Sequence, residues 1–297
     1  MLELDAERYW RFIGAQEGYD GARAVIVGAP LDTTMTFRAG ARHAPREIRQ
    51  FSWVLEEYSP RLERDLGELR FCDLGDLCLP WGNVREGLRR IKETAGRVLR
   101  DGKFPVFIGG EHLVSLPAVE AAAECYPDLA VLQLDAHADL LDDYLGERYS
   151  HATVMRRVAE VDGGENVYQL GIRSGAREEF EYGRIHTRLF PHEVLRPLEK
   201  IVRSLDGRPV YVTLDIDVVD PAYAPGTGTP EPGGCSSLEL MEAIYLLRDL
   251  HVVSFDVVEV NPVYDLSGRT AVLAAKAIRE MLLVWANGSR PPAGGPE

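Results

Sequence analysis

The 297-residue sequence has few cysteines and no long apolar run, and each shortage excludes a class of protein. Its four cysteines have neither the paired spacing of a zinc site nor the density of a disulfide scaffold. They are typical of reduced thiols in an intracellular protein. No apolar stretch approaches the length that spans a bilayer, and the first residues lack a basic start followed by an apolar segment. We therefore expect a cytoplasmic protein that does not contact a membrane.

Positive charge is also scarce. The 33 Lys and Arg residues are outnumbered by 47 Asp and Glu residues, which gives a formal net charge of -14 at pH 7. This excess would repel the phosphates of nucleic acid and attract a small cationic partner. We expect no nucleic-acid binding.

Linker-like composition is confined to the C-terminal segment "NGSRPPAGGPE". Elsewhere no Pro-, Gly- or Ser-rich stretch divides the chain. We predict one domain over residues 1–287, followed by a flexible tail over residues 288–297.

Short apolar runs bounded by Gly, Pro or Asp recur along the chain. They are "ARAVIVGAP", "LRFCDLGDL", "FPVFIGG", "LAVLQLDAH", "VYQLGIRS", "RPVYVTLDID" and "VVSFDVVEV", with "HTRLF" as a weaker eighth. Most are almost continuously hydrophobic, which is typical of strands covered on both faces. Amphipathic segments lie between several of them, such as "WGNVREGLRRIKETAGRVLRDG" and "SSLELMEAIYLLRD", where Ser precedes Glu239 as a capping signal. This alternation predicts a parallel sheet with helices on both faces.

Polar residues follow four of these runs, in "GGEH", "DAHAD", "DID" and "EVN". Ligands of such sheets bind beyond the carboxyl ends of the strands. Because residues two apart share a face of a strand, Asp135, His137 and Asp139 should project together. Asp215 and Asp217 have the same spacing, and His112 follows two glycines that permit a sharp turn.

Together these are four carboxylates and two imidazoles. The four Asp side chains at short range would repel one another and destabilise the fold without a cation. Oxygen and nitrogen donors without cysteine suit a divalent ion such as manganese rather than structural zinc. Six donors are too many for one tetrahedral ion and natural for two ions with shared carboxylates. Such a pair of ions can hold a bridging water as hydroxide near neutral pH.

The motifs "GGEH", "DAHAD", "SHAT", "DIDVVDPAYAPGTGTPEPGG" and "EVNPVYD" resemble, in order and spacing, those of the ureohydrolase family of arginases and agmatinases. The match runs from about Pro30 to Leu283, and "GIRSGAREEFEYG" and "GERYSHATVMRR" are similar to the bacterial agmatinase branch. The resemblance implies a three-layer α/β/α fold with a mostly parallel eight-stranded sheet. It also implies two Mn²⁺ per subunit and a homotrimer or homohexamer.

Carried over by position, the resemblance implies a role for each motif residue. One ion would be held by His112, Asp135, Asp139 and Asp215, and the other by Asp135, His137, Asp215 and Asp217, with Asp135 and Asp215 as bridges. Glu259 would pair with the guanidinium of the substrate, and His151 would carry a proton to the leaving amine. Thr229 would line the guanidinium, although a turn role is nearly as well supported.

The implied reaction is hydrolysis of a small cationic guanidino compound through a metal-bridging hydroxide, with agmatine converted to putrescine and urea. Relatives that act on arginine carry an Asn and Ser loop for its α-carboxylate and α-amino groups. The corresponding segment here, "LLDDYLGERYS", contains Asp142, Asp143 and Glu147 beside Arg148. An acidic loop would repel a carboxylate and attract an amine, which favours agmatine.

Other functions stay open at this point. The substrate could be guanidinobutyrate, arginine or formiminoglutamate. A two-metal phosphoesterase would use a similar cluster, but no clear basic group for phosphate is evident apart from scattered Arg. A non-catalytic metal-binding structural protein would bind two ions and release no urea.

Overall fold

The computed structural model describes residues 6–7, 10–16 and 18–288, and a large β-sheet lies at its centre. The strands of the described residues are β1 (Ala6–Glu7), β2 (Ala24–Ala29), β3 (Tyr58–Ser59), β4 (Arg64–Asp65), β5 (Phe71–Leu77), β6 (Phe104–Gly109), β7 (Ala130–Leu134), β8 (Val167–Ile172), β9 (Arg188–Pro191), β10 (Pro209–Asp215) and β11 (His251–Val258). Nine of them form one sheet in the order β1-β5-β2-β6-β11-β10-β7-β8-β9, and β3 pairs with β4 separately.

Eight strands of the large sheet run parallel, and the two-residue β1 joins β5 antiparallel at one edge. The central pairs are in close register, with Val210 of β10 opposite both Ala130 of β7 and Val252 of β11. Each predicted apolar run supplies one parallel strand, and "HTRLF" supplies β9. The predicted mostly parallel eight-stranded sheet is confirmed.

Helices cover both faces of the sheet. They are α1 (Ala44–Ser52), α2 (Val84–Arg100), α3 (Ser115–Cys125), α4 (Val154–Asp162), α5 (Arg177–His186), α6 (Leu195–Ser204), α7 (Ser237–Leu246) and α8 (Arg269–Gly288). One core lies under α1, α6, α7 and α8, and the other lies under α2, α3 and α4. Side chains alternate between the cores along each strand, so Ile26 enters the first and Val27 the second. This is the predicted three-layer arrangement.

Local signals mark the ends of two predicted helices. The Asn83 side chain accepts a hydrogen bond from the Glu86 N–H at 3.1 Å and begins α2. At α7, Ser236 Oγ accepts from the Glu239 N–H at 3.2 Å, and the Glu239 carboxylate accepts from the Ser236 N–H at 2.7 Å. The predicted cap at Ser236 and Glu239 is therefore present.

The C-terminal helix α8 extends to Gly288. The rest of the predicted tail, residues 289–297, lies outside the described part of the chain. Among the described helices, none combines the length and apolar character needed to cross a membrane.

Candidate active site

The order of the sheet brings four distant loops together. Strands β6, β11, β10 and β7 are neighbours in the centre of the sheet. His112 follows β6, Glu259 follows β11, Asp215 ends β10 and Asp135 follows β7. Because the strands are parallel, these residues meet at one carboxyl edge.

Two glycines at the end of β6 allow the close packing that this edge requires. A Cβ on Gly110 would lie 1.7 Å from the carbonyl oxygen of Leu31, and one on Gly109 would lie 2.6 Å from a methyl of Val258. Neither glycine is among the residues with positive φ. Gly110 is needed for close backbone approach and Gly109 for close packing against Val258, which corrects the predicted reason, a sharp turn.

The acidic residues are brought together by tight turns, and not by their two-residue spacing along an extended strand. Strand β7 ends at Leu134, and Asp135 Oδ1 then accepts a hydrogen bond from the His137 N–H at 2.6 Å. Asp139 has φ 54°, a left-handed backbone that costs energy outside glycine. Asp215 Oδ1 likewise accepts from the Asp217 N–H at 2.9 Å. The predicted grouping is right, but the predicted extended geometry is wrong, because aspartate side chains fold the backbone back.

One group of donors surrounds the ring of His112. Its Nδ1 lies 3.0 Å from Asp135 Oδ2, 3.0 Å from Asp139 Oδ2 and 3.5 Å from Asp215 Oδ2. Donor atoms of His112, Asp135 and Asp139 all lie within 4.8 Å of one another. All four side chains are buried, so a cation at this point would be shielded from solvent.

A second group shares one residue with the first. His137 Nδ1 lies 2.9 Å from Asp217 Oδ2 and 3.7 Å from Asp135 Oδ1. Donor atoms of Asp135, His137 and Asp217 likewise all lie within 4.8 Å of one another. Asp135 therefore offers one oxygen to each group, which is the geometry of a bridging carboxylate.

Two buried atoms of the cluster have no hydrogen-bond partner among the described residues, namely His112 Nδ1 and Asp217 Oδ2. Carboxylate oxygens surround His112 Nδ1 at short distance without the alignment of a hydrogen bond. Buried polar atoms are normally satisfied. Donors that are close but not hydrogen-bonded to one another fit a metal ion.

The pKa values of the cluster show how strongly it favours added positive charge. Burial raises the pKa of Asp135 to about 7, helped by repulsion from Asp217 and Asp139. Burial opposes protonation of His137, yet the carboxylates of Asp217 and Asp135 outweigh it and raise the pKa of the ring to about 10. Without a metal the site would take up protons, and divalent cations would supply the same charge.

Polar residues inside β10 and β11 support the cluster through a chain of hydrogen bonds. The His112 Nε2–H donates to Thr213 Oγ1 at 3.0 Å, and Thr213 Oγ1 donates to Asp256 Oδ1 at 2.7 Å. The Tyr211 hydroxyl donates to Asp256 Oδ2 at 2.5 Å. This chain leaves Nδ1 of His112 to face the carboxylates, as a metal ligand requires.

A second chain of neutral side chains reaches Asp135. The Gln133 amide donates to Asp135 Oδ2 at 2.6 Å, and Gln169 donates to Gln133 Oε1 at 2.7 Å. Thr187 Oγ1 donates to Gln169 Oε1 at 2.7 Å. Sequence reasoning missed these residues; the available signal was a polar side chain within an apolar strand, as in "AVLQL" and "VYQL".

Glu259 stands beside the cluster with one oxygen unused. Its Oε1 accepts from the His112 N–H at 2.7 Å, whereas the buried Oε2 has no partner within the described residues. Its backbone is left-handed, with φ 62°. Gly228 lies next to this oxygen: a Cβ there would be 3.7 Å from Oε2 and 2.5 Å from the Met35 methyl, so Met35 fills the place that a side chain at residue 228 would take. The next residue, Thr229, is half-buried.

His151 begins a short 3-10 helix, His151–Thr153, across the site. Its ring lies edge-on against Tyr144, with 5.6 Å between ring centroids. Burial lowers the pKa of His151, although Asp139 acts in the opposite direction. The ring is therefore neutral near pH 7 and lies within the electrostatic reach of the cluster.

The acidic segment before His151 is less negative than its sequence suggests. Asp142 Oδ1 lies 2.8 Å from the buried guanidinium of Arg157 and 3.8 Å from that of Arg148. Asp143 accepts a hydrogen bond from the Gly146 N–H at 3.0 Å. The prediction of a repulsive acidic loop needs correction at Asp142, because α4 supplies a compensating arginine that lies outside the segment.

Together, the fold and the cluster define a three-layer α/β protein with a carboxylate–imidazole centre at the carboxyl edge of its sheet. A model of the arginase family matches residues 22–284. The chain belongs to that family.

Relatives within the family are similar over nearly their whole length. The chain is 50% identical over 277 residues to an agmatinase from Bacillus subtilis (strain 168), with 92% of this chain and 95% of the relative covered. It is 49% identical over 277 residues to an agmatinase from Bacillus anthracis, with 92% and 96% covered. The crystal structure of agmatine ureohydrolase of Thermoplasma volcanium has a TM-score of 0.84 at 33% identity, with 94% of this chain and 95% of that chain covered.

Proposed function

We propose that the protein hydrolyses agmatine to putrescine and urea at a binuclear manganese centre. The observation that carries this proposal is the paired cluster with Asp135 common to both groups, next to a buried and unused oxygen of Glu259. Relatives named agmatinase at about half identity support the same substrate.

Two divalent cations would fit the two groups of donors. One would be held by His112, Asp135, Asp139 and Asp215, and the other by Asp135, His137, Asp215 and Asp217. Oxygen and imidazole donors without thiolate favour manganese. When bound, the ions would activate a water as the nucleophile. Asp215 belongs to neither compact group of donors, so its bridging role rests on family resemblance and on its 3.5 Å distance from His112 Nδ1.

Glu259 would bind the substrate guanidinium through its free oxygen. A guanidinium is a planar fork of N–H donors, and a carboxylate is its natural acceptor. Burial raises the pKa of Glu259 well above its usual range, with repulsion from Glu111 and attraction to His112 acting in opposite directions. A cationic substrate would restore the ionised form, so this site should select positively charged groups. Thr229, one residue beyond Gly228, would line the same group.

His151 would deliver a proton to the leaving amine. The guanidinium carbon is a poor electrophile because resonance stabilises its cation, so the reaction needs both a strong nucleophile and a protonated leaving group. A neutral imidazole can take a proton from the attacking water and give it to the nitrogen as the carbon–nitrogen bond breaks.

The deciding experiment is urea release from agmatine by the purified protein with manganese added. Arginine and guanidinobutyrate serve as comparison substrates, and formiminoglutamate is followed by glutamate release. We expect kcat/KM for agmatine to exceed that for arginine by about 100-fold, since an unpartnered α-carboxylate costs a few kcal/mol on burial. A preference for another guanidino compound would replace agmatine and leave the metal site in place. Absence of turnover on all four would favour a structural metal-binding protein.

We also propose a cytoplasmic homotrimer or homohexamer. The free cysteines among the described residues agree with a reducing compartment, and the assembly follows from resemblance to ureohydrolases. Light scattering after size exclusion would distinguish the two assemblies from each other and from a monomer.

A further inference from the structure

Thr34, in the segment that follows β2, contacts both His151 and a buried carboxylate. Its Oγ1 lies 3.2 Å from His151 Nδ1 and accepts a hydrogen bond from the His151 N–H at 3.1 Å. The same hydroxyl donates to Glu111 Oε2 at 2.8 Å, and the Thr34 N–H donates to that oxygen at 2.9 Å. Glu111 is fully buried and directly precedes His112.

The available hydrogens determine the direction of these bonds. A threonine hydroxyl has one hydrogen, and here it is directed to Glu111. The Thr34 oxygen can then only accept from the His151 ring, so Nδ1 must carry the hydrogen. In a neutral imidazole with a hydrogen on Nδ1, Nε2 has the free lone pair. The contact thereby selects one tautomer and holds the ring at Nδ1, while the second bond holds the backbone of His151 at its N–H.

We propose that Thr34 and Glu111 are positioning residues for His151, which hold its ring so that Nε2 is the atom that exchanges protons with the substrate. This inference rests on the proposed function, in which His151 serves the leaving amine. Nε2 takes one proton from the attacking water, and the ring becomes a cation. It gives that proton to the leaving nitrogen as the carbon–nitrogen bond breaks, and the ring is neutral again. Throughout, Nδ1 keeps its hydrogen bond to Thr34, whose own hydroxyl hydrogen stays directed to Glu111.

Substitutions of Thr34 separate this role from simple packing. Thr34→Val preserves the shape and removes the hydroxyl, whereas Thr34→Ser keeps the hydroxyl. Thr36→Val is the matched control, because Thr36 lies in the same segment and its hydroxyl contacts only the Tyr144 hydroxyl, at 3.2 Å, among the described contacts. Glu111→Gln is the second variant, because it keeps the size of the side chain and replaces the acceptor of the Thr34 hydroxyl by an amide.

The assay compares agmatine with guanidinooxypropylamine, an analogue that releases a far less basic alkoxyamine and so needs less proton transfer. With agmatine, we expect Thr34→Val to lower kcat by about tenfold or more. This loss is smaller than the full contribution of general acid–base catalysis, because His151 itself remains. KM, metal content and melting temperature should stay near those of the wild type. Thr34→Ser should restore kcat, Thr36→Val should behave as wild type, and the deficit of Thr34→Val should shrink with the analogue. Glu111→Gln should lower kcat with the same dependence on the leaving group.

Three results would overturn the inference. They are wild-type kcat in Thr34→Val, an equal loss on both substrates, and failure of Thr34→Ser to restore turnover. Wild-type kcat in Glu111→Gln alone would reject the role of Glu111 and keep that of Thr34. His151→Asn, measured in parallel, distinguishes failure of the positioning role from failure of the proposed role of His151. Impaired His151→Asn with wild-type turnover in Thr34→Val would reject only the positioning role. Wild-type turnover in His151→Asn would reject the proposed role of His151 and, with it, this inference.

Discussion

At the scale of single residues, Asp135 is the one shared by the two groups of donors. Its two oxygens face different imidazoles, and one of them also accepts a hydrogen bond from Gln133. Substitution of this residue should therefore affect both groups of donors, unlike a change at Asp139 or His137.

We expect Asp135→Ala to lose both metal ions and to abolish turnover, because each ion would lack a ligand and the remaining carboxylates would repel one another. Metal content after dialysis, measured by mass spectrometry, tests this. Asp143→Ala, on an exposed loop, should retain the wild-type content. Two ions at full occupancy in Asp135→Ala would exclude the bridging assignment.

Glu259 differs from the proposed ligands because one of its oxygens, Oε2, is buried without a hydrogen-bond partner among the described residues. We expect Glu259→Gln to keep the metals and the fold but to lose most of kcat/KM. A neutral amide cannot form the charge-assisted pair, which contributes roughly 1.5 to 3 kcal/mol per hydrogen bond. Steady-state kinetics on agmatine measure this loss, with Glu239→Gln at the exposed cap of α7 as the control. Turnover near that of the wild type would rule out guanidinium binding by this side chain.

At the scale of elements, the end of β6 packs against the segment after β2 so closely that Gly110 has no room for a side chain. The Gly110 N–H donates to Ala29 O at 3.1 Å, and the Glu111 N–H donates to Leu31 O at 2.7 Å. This contact positions both His112 and Glu111, so the packing of two elements controls the placement of a proposed metal ligand.

We expect Gly110→Ala to lower stability by about 1–3 kcal/mol or more, since the new methyl would overlap a backbone carbonyl. It should also weaken metal binding, because His112 must shift. Denaturant unfolding and metal titration test the two effects. Gly18→Ala is the matched control, because nothing lies within 4 Å of its added Cβ. Equal behaviour of the two variants would show that β6 tolerates displacement.

A buried arginine joins α1 to β5. Arg49 Nε donates to Asp73 Oδ2 at 2.7 Å, its Nη2 donates to Asp73 Oδ1 at 3.0 Å, and its Nη1 pairs with Asp76. The pKa of Arg49 is raised, because the pull of Asp73 and Asp76 outweighs the effect of burial.

We expect Arg49→Ala to destabilise the protein by about 3–5 kcal/mol, because Asp73 would stay buried without a counter-charge. Urea unfolding measures this change. Arg89→Ala should have little effect, since its pairs with Glu86 and Glu93 are exposed. A similar small change at Arg49 would mean that water or another cation reaches Asp73.

At the scale of the whole molecule, the site depends on the order of strands. His112 and Glu259 are 147 residues apart in the chain, yet the Glu259 carboxylate accepts from the His112 backbone. Strands β10 and β11 lie between β6 and β7, so the late motifs are placed between the early ones. Ions bound there would link segments from most of the chain.

We therefore expect removal of metal by a chelator to lower the melting temperature of the entire protein, with recovery on addition of Mn²⁺. A ligand that binds only the native state stabilises it by about 2.7 kcal/mol at 100 times its Kd. Scanning calorimetry with and without chelator measures the shift, and Asp135→Ala should show none. An unchanged melting temperature in the wild type would indicate that the site holds no tightly bound ion.

Much of this protein could be predicted from local pattern. The continuous apolar runs indicated eight strands, and Ser236 with Glu239 indicated the start of α7; both follow from contacts between residues close in the chain. The motif residues indicated the donors of the proposed metal site, because few other roles suit carboxylates and imidazoles at the ends of buried strands. Glu259 and His151 were indicated only by family resemblance, because a single glutamate or histidine is by itself weak evidence for a catalytic role.

Tertiary structure alone decided how these parts meet. The left-handed backbones of Asp139 and Glu259, the support of His112 by Thr213 and Asp256, and the pairing of Asp142 with Arg157 all depend on neighbours from other elements. The contact of Thr34 with His151 spans 117 residues. Sequence by itself determined which residues can carry charge, bind a cation or end a strand, since these are local chemical properties. Distances and hydrogen-bond directions followed only from packing, because the order of strands in a sheet is set by the burial of the whole chain.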